Sequence, residues 1–219
     1  MFAPLEFAHD GDVLGFLKKT FLLLIVVGVA YALWPRDPSL DRFSSRSLSA
    51  LDIAAWRGVE EGRPIEALMA LYMIYDRQYG LPPVSAFDAS WHALRAMETF
   101  SKAADRPDQE SALPSLQRVF GILSTKAGMV GDSDVVARLE LFEWMLADDV
   151  NRRSELTTAV AEKYALMHGV PAARLMDSAS VIAKGVVARE ERKWSAAERS
   201  LDQGLEMLQS TLSRLSAAE

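Results

Sequence analysis

Residues 54–75 read AAWRGVEEGRPIEALMALYMIY and carry the signals of a helical hairpin. Gly62 interrupts the helical pattern, as glycine commonly does just after the end of a helix. Pro64 falls in the first turn of the next helix, where its missing backbone N–H removes no hydrogen bond. The apolar residues that follow recur at helical spacing on one face: Ile65, Leu68, Leu71, Tyr72 and Tyr75. The stretch therefore predicts two antiparallel helices joined by a short turn.

The helical period continues through the rest of the chain, and no segment shows the sustained alternation of a β-strand. Turns divide the pattern into eight helices, which begin near residues 47, 64, 85, 110, 133, 154, 171 and 195. Their short connections favour antiparallel neighbours. The predicted fold class is therefore all-α. A soluble helical domain is expected over 47–219, as stacked hairpins or as an irregular bundle, after a polar, proline-containing linker over 35–46.

Several helix ends carry recognisable capping residues. Asp132 or Ser133 is expected to cap the fifth helix, and Gly169 to end the sixth in a left-handed conformation. Ser195 and Glu198 have the spacing of a capping box for the last helix. The segment ADRPDQ, residues 104–109, is predicted to be a break after the third helix.

The apolar positions of the helices predict which side of each is buried. In the third helix the expected core residues are Phe87, Trp91, Leu94 and either Met97 or Phe100. In the fifth they are Val135, Leu139, Phe142, Met145 and Leu146. Core filling is also the expected role of Trp56, Trp91, Trp144 and Trp194. The alternative for any of these four is an exposed aromatic that anchors a binding partner.

Residues 184–208, KGVVAREERKWSAAERSLDQGLEML, resemble one unit of the tetratricopeptide repeat family. Gly185 matches the glycine of the family's first helix, Trp194 the aromatic residue at the turn, and Ala197 the alanine of its second helix. Residues 54–75 resemble the motif more loosely, through Gly62 and Ala67. Residues 87–168 depart from it and show no 34-residue period. The resemblance implies a superhelical stack whose concave face binds peptides or partner proteins.

An uncharged run of fifteen residues, TFLLLIVVGVAYALW at 20–34, follows Lys18 and Lys19. We predict that it is a single transmembrane anchor. An extension back to residue 13 would bring it to the roughly 20 residues that a span requires. An acidic tail over 1–19 precedes it. A signal peptide cleaved near Ala30-Tyr31-Ala32 is the first alternative, and a buried core helix is the second.

The basic residues on the two sides of this run are nearly balanced. Lys18 and Lys19 precede it, whereas Arg36, Arg42 and Arg46 follow it. Because the two lysines adjoin the run, the positive-inside rule favours an inner N-terminus. The predicted localisation is a single-pass membrane protein whose domain faces the periplasm or an equivalent outer space.

Composition excludes several classes of function. A net charge of −6 and a pI near 5.2 provide no basic surface for nucleic acid. The absence of cysteine excludes disulfides, thiolate metal sites and cysteine nucleophiles. The phosphate-binding, dinucleotide-binding and serine hydrolase motifs do not occur.

The histidines and acidic pairs predict no catalytic residue, no cofactor site and no metal site. His9, His92 and His168 lack the spacing of a zinc motif. Glu140 and Glu143 share one helix face and could support acid–base chemistry. The preferred interpretation places them on the solvated side of that helix. Asp132 and Asp134 begin like a calcium loop, but lack its glycine and distal glutamate.

The sequence thus leads to a hypothesis of a membrane-anchored, non-enzymatic helical scaffold that binds a partner protein during assembly or secretion at the membrane. Its expected partners are membrane lipid, through the N-terminal helix, and one or more proteins, but not nucleic acid. The alternative is an accessory subunit built permanently into a larger membrane complex. A metal-dependent enzyme is a remote third hypothesis.

Overall fold

The computed structural model describes residues 17–23, residue 28 and residues 36–217. The chain divides into two units, Met1–Pro35 and Arg36–Glu219. In the first unit the described residues are helical. The described part of the second unit contains these helices: α1 Ser45–Glu60, α2 Pro64–Met73, α3 Pro83–Lys102, α4 Arg106–Glu110, α5 Leu113–Lys126, α6 Ser133–Asp148, α7 Leu156–His168, α8 Met176–Glu190 and α9 Trp194–Ser216. A π-helical turn, Ile74–Gln78, extends α2, and no described residue lies in a strand. The all-α prediction is confirmed.

The predicted localisation as a single-pass membrane protein is wrong. Among the described residues, no helix combines the length and the apolar character that a membrane span requires. The described helical residues 17–23 would cover only about 10 Å of a hydrocarbon core about 30 Å thick. α9 has 23 residues but contains five charged side chains. Residues 24–27 and 29–34 of the predicted anchor lie outside the described residues.

The segment predicted to be a linker is packed against the helical domain from Arg36 onward. Leu40 and Phe43 are buried in its core. The Ser39 amide donates to the Tyr79 carbonyl at 3.1 Å, and the Gln209 side-chain amide donates to the Phe43 carbonyl at 2.8 Å. This segment therefore packs on the folded domain, with hydrogen bonds to the end of the π-helical turn after α2 and to α9.

Most of the predicted helix ends are confirmed. α2 begins at Pro64, and the Asp132 carboxylate caps α6 by accepting from the Asp134 and Val135 amides. Gly169 follows α7 with φ +68°. The predicted capping box is wrong: α9 begins at Trp194, one residue before Ser195, and no side chain caps its first turn.

The segment predicted as a break after α3 forms the short helix α4. The Asp105 carboxylate caps this helix by accepting from the Asp108 amide at 3.0 Å. Pro107 lies in its first turn, where proline is favoured. Both signals are present in ADRPDQ, but α4 is only five residues long and shows no apolar period.

The helices are arranged around a common centre. From α1 to α3, and then from α5 to α9, each helix packs against the next, and α3 packs against α5. α9 also packs extensively against α1, so that the last helix closes on the first. The Arg189–Asp52 ion pair joins α8 to α1 across this closure. The N-terminal and C-terminal hairpins are therefore neighbours.

These two hairpins have the same turn. In each, the first turn residue donates its amide proton to the carbonyl four residues back, the second to the carbonyl three back, and the third to the carbonyl five back. The donors are Glu61, Gly62 and Arg63 in one turn and Glu191, Arg192 and Lys193 in the other. The middle residue is left-handed in both, with φ +68° at Gly62 and +56° at Arg192.

The last hairpin is packed closely where its small residues lie. A Cβ atom at Gly185 would lie 2.7 Å from Leu201 Cγ, and one at Gly204 would lie 2.6 Å from Ile182 Cγ1. Ala197 is fully buried. These residues allow α8 and α9 to approach each other along most of their length.

Candidate functional site

A cavity of about 160 Å³ lies at the centre of the helices. Its apolar lining comes from residues such as Leu71, Val119 and Leu205. Its polar lining is unusual for a helical core, because it includes five ionisable side chains and three tyrosines: Asp52, Glu140, Glu143, Lys163, Arg189, Tyr75, Tyr79 and Tyr164. Charged groups are rarely placed in such positions unless they are paired.

The first charged group is a lysine held between two glutamates. Lys163 on α7 donates to Glu140 at 2.7 Å and also to Glu143, both on α6. The other oxygen of Glu140 accepts from the Trp144 indole at 2.9 Å. The side chains of Lys163 and Glu143 are 6% and 4% exposed. A buried ammonium with two carboxylates is stable only because these hydrogen bonds replace water.

The second charged group links α8 to α1. Arg189 Nη1 donates to Asp52 at 3.2 Å, and the guanidinium lies 4.3 Å from the centre of the Trp56 ring. Trp56 in turn packs edge-on against Trp144, with 5.0 Å between ring centres. This contact brings the two charged groups into one continuous cluster.

The environment shifts the pKa of each carboxylate in a direction set by its partners. Burial raises the pKa of Glu143, because Lys163 offsets the cost only in part and Glu140 adds repulsion. Burial also raises the pKa of Asp52, although Arg189 opposes this. For Glu140 burial is outweighed by Lys163, so that its pKa is lowered.

The cationic and phenolic groups are shifted as well. Burial works against the charge on Lys163, but Glu140 and Glu143 outweigh it and raise its pKa well above the ordinary value. Burial raises the pKa of Tyr164 to about 12 and that of Tyr75 further. At neutral pH the site therefore contains an ammonium, a guanidinium and un-ionised phenols.

The prediction that Glu140 and Glu143 occupy the solvated side of their helix is wrong. α6 instead buries Glu143 and Trp144 and exposes Val135, while Phe142 is half-buried. The spacing of apolar residues on α6 predicted the wrong buried face because the partner of the two glutamates lies on another helix. Lys163 of α7 pairs with both of them inside the domain.

The two described histidines do not line the central cavity. His168 lies at the end of α7, with Nδ1 2.7 Å from Asp41 and its ring stacked on Tyr164. Burial lowers the pKa of His168, although Asp41 opposes this. His92 contacts Asp88 at 3.4 Å. Across the described residues there is no group of three or more His, Cys, Asp or Glu side chains that could hold a metal ion.

A second unusual surface lies on the outside of α2 and α3. Along α3 the small residues Ala86, Ala89, Ala93 and Ala96 and the large residues Leu94, Met97 and Phe100 are buried, whereas Val84, Phe87 and Trp91 in its first half are exposed. We use "the α2–α3 face" for five exposed apolar residues on these two packed helices: Ile65, Met69, Val84, Phe87 and Trp91. The prediction that Phe87 and Trp91 fill the core is wrong.

In the described part of the second unit, the exposure of aromatic side chains is confined to α3. Within residues 36–217, Phe87 and Trp91 are the only aromatic side chains classed as exposed. Trp56 and Trp144 are buried, as expected, and Trp194 is half-buried. Trp34 lies outside the described residues.

Comparisons with known proteins provide no relative. No protein-family model, curated protein sequence or solved structure matches the chain.

Proposed function

We propose that the chain is a non-enzymatic helical interaction domain that holds a partner protein against the α2–α3 face. The observation that carries this proposal is the arrangement of α3, which buries four alanines and leaves Phe87 and Trp91 in solvent. Burying a side chain of their size contributes about 1.5–3 kcal/mol, and aromatic residues are enriched among the residues that dominate binding.

The spacing of the exposed residues fits a helix or an extended segment laid along α3. Val84, Phe87 and Trp91 are separated by three and four residues, which places them along one side of the helix. Arg95 continues this row one turn further and is exposed. The complementary partner would therefore be an apolar segment with an acidic group beside Arg95.

The inner side of the helices is a less suitable place for a protein partner. α1 and α9 close the arrangement, and the central cavity of about 160 Å³ is much smaller than a peptide requires. The matching turns and the close contact at Gly185 support a tetratricopeptide-type origin for the two terminal hairpins. In this proposal the binding surface lies on the outer side of α2 and α3.

A permanent subunit of a larger complex is the second candidate. The exposure of Ile65, Val84 and Phe87 favours it, because an apolar face of this kind is normally covered in a stable assembly. The stoichiometry and lifetime of the complex separate the two candidates.

Purification of the tagged full-length chain from the organism that encodes it tests the proposal. The wild type is compared with the double variant Phe87→Ser/Trp91→Ser and with Val135→Ser, which removes an exposed apolar residue from α6. We expect one partner to accompany the wild type and Val135→Ser and to be lost from the double variant. A one-to-one complex indicates a subunit, and a sub-stoichiometric one indicates a transient scaffold. Equal recovery with all three proteins would contradict the proposal.

A further inference from the structure

The central cavity is lined by a buried polar group that no described residue satisfies. Arg189 has a side chain that is 6% exposed, and its Nε has no hydrogen-bond partner among the described residues. Tyr75, Tyr79 and Tyr164 line the same cavity. Buried polar groups are normally paired, so Arg189 Nε has capacity for a bound molecule.

The charges around the cavity are also unbalanced. Three carboxylates, Asp52, Glu140 and Glu143, face two cations, Lys163 and Arg189. Lys163 donates to both glutamates, whereas among the described residues Asp52 accepts a single, longer hydrogen bond, from Arg189. The Asp52 side chain retains a third of its accessible surface while lining the cavity. The free capacity for a positive charge therefore lies at Asp52.

We propose that the central cavity binds a small organic ammonium ion that also carries a hydroxyl or carbonyl oxygen. The ammonium group lies against Asp52 and the phenolic oxygens, and the ligand oxygen accepts a hydrogen bond from Arg189 Nε. A monovalent cation makes the sum of the five protein charges and the ligand zero. The aromatic lining, which includes Trp56 and Tyr75, favours a cation in addition.

The size of the cavity limits the ligand to a few non-hydrogen atoms. An apolar cavity of about 150 Å³ accommodates benzene, and the volume here is about 160 Å³. Bound water satisfies the hydrogen bonds of such a cavity but adds no positive charge, and an anion adds a further negative one. Burial raises the pKa of Asp52 and of Glu143, so protons compete with the ligand cation for the same negative charge.

Four compounds of nearly equal size distinguish these possibilities. Ethanolamine carries both proposed groups, n-propylamine lacks the oxygen, ethylene glycol lacks the charge, and glycolate reverses it. Each is titrated into the full-length protein at constant ionic strength, with the indole N–H signals of Trp56 and Trp144 as the NMR readout. A ligand of this size binds with a dissociation constant of about 40 µM at best, so the titrations extend into the millimolar range.

We expect saturable binding of ethanolamine, weaker binding of n-propylamine and ethylene glycol, and none of glycolate. In Asp52→Asn, which keeps the shape of the side chain, ethanolamine should bind at least tenfold more weakly while ethylene glycol binding is unchanged. The exposed substitution Glu198→Gln removes the same charge elsewhere and should have no effect.

Two results would overturn the proposal. One is the absence of saturable binding by any of the four compounds to the folded wild type, which leaves a cavity filled by water only. The other is tighter binding of glycolate or ethylene glycol than of ethanolamine. Both results come from the wild type, so the test does not depend on the folding of Asp52→Asn.

Discussion

The centre of the domain and its α2–α3 face invert the usual distribution of residues. The centre holds Lys163, Glu143 and Arg189, all more than nine-tenths buried. The α2–α3 face exposes Phe87 and Trp91 while alanines fill the adjacent core. Each arrangement reduces stability relative to the reverse one. The difference is that most charged groups at the centre are paired with each other, whereas the apolar side chains of the α2–α3 face are exposed in this chain.

The largest expected effect comes from removing the cation at the centre. Lys163→Met leaves Glu140 and Glu143 without their shared cation, although Glu140 keeps the Trp144 indole bond. Breaking a buried ion pair in this way costs about 3–5 kcal/mol. Urea denaturation measures the free energy of unfolding. Lys184→Met, on the exposed side of α8, is the matched control and should change it by less than about 0.5 kcal/mol. Equal stability of the two variants would show that the centre is not a coupled network.

A smaller effect tests the packing that positions Arg189. Gly185→Ala places a Cβ atom 2.7 Å from Leu201 Cγ, and overpacking of this kind costs about 1–3 kcal/mol. Gly121→Ala makes the same change inside α5, where nothing lies within 4 Å of the new atom. That control should gain up to about 1 kcal/mol, because alanine is the better helix former. Thermal denaturation of both variants checks the opposite signs.

The pH dependence of stability tests the excess negative charge. Burial raises the pKa of Glu143 above its ordinary value of 4.5, so the folded chain holds this proton more tightly than the unfolded chain. The resulting stability is fully present below pH 4.5 and is lost as the pH rises through the raised pKa. Glu143→Gln has no such proton.

Relative to the wild type, the free energy of unfolding of Glu143→Gln should therefore increase with pH, by at most about 1.4 kcal/mol per pH unit. Urea titrations between pH 4 and 7 provide the difference, with Glu198→Gln as the exposed control. A difference that is constant, or that decreases with pH, would show that Glu143 is ionised in the folded protein throughout.

The smallest expected effect is on the α2–α3 face. Phe87→Ser and Trp91→Ser remove side chains that are about half exposed, so each should lower the free energy of unfolding by about 1 kcal/mol or less. Chemical denaturation of the isolated chain measures this. A loss above 2 kcal/mol would mean that these aromatics support the fold instead of serving a partner.

The sequence predicts the helices well because their end signals are local. Pro64, Asp132 and Gly169 act through their own backbone or a hydrogen bond within one turn. Ser195 and Glu198 have the right spacing for a cap, but Trp194 already adopts helical geometry, so the helix starts before them. The five-residue α4 was missed because its cap and proline are followed by no apolar repeat.

The buried face of each helix is harder to predict. The hydrophobicity of a residue indicates the free energy that it would gain from burial, but not whether the fold places it in the core. The prediction is confirmed for Leu94, Met97 and Phe100, which are hydrophobic and also lie in the core. It is wrong for Trp91, which is exposed to solvent. It is also wrong for Glu143, which is buried because it pairs with Lys163, twenty residues further along the chain. Pairing across helices depends on the tertiary arrangement, which no local period contains.

Photocrosslinking in cells tests the central claim, that the α2–α3 face contacts a partner, most directly. p-Benzoylphenylalanine is placed at Phe87 in one protein and at Val135, an exposed apolar position on α6, in another. We predict a discrete crosslinked product of one defined mass from position 87 and none from position 135. The same products at both positions, or no product at position 87, would contradict the account.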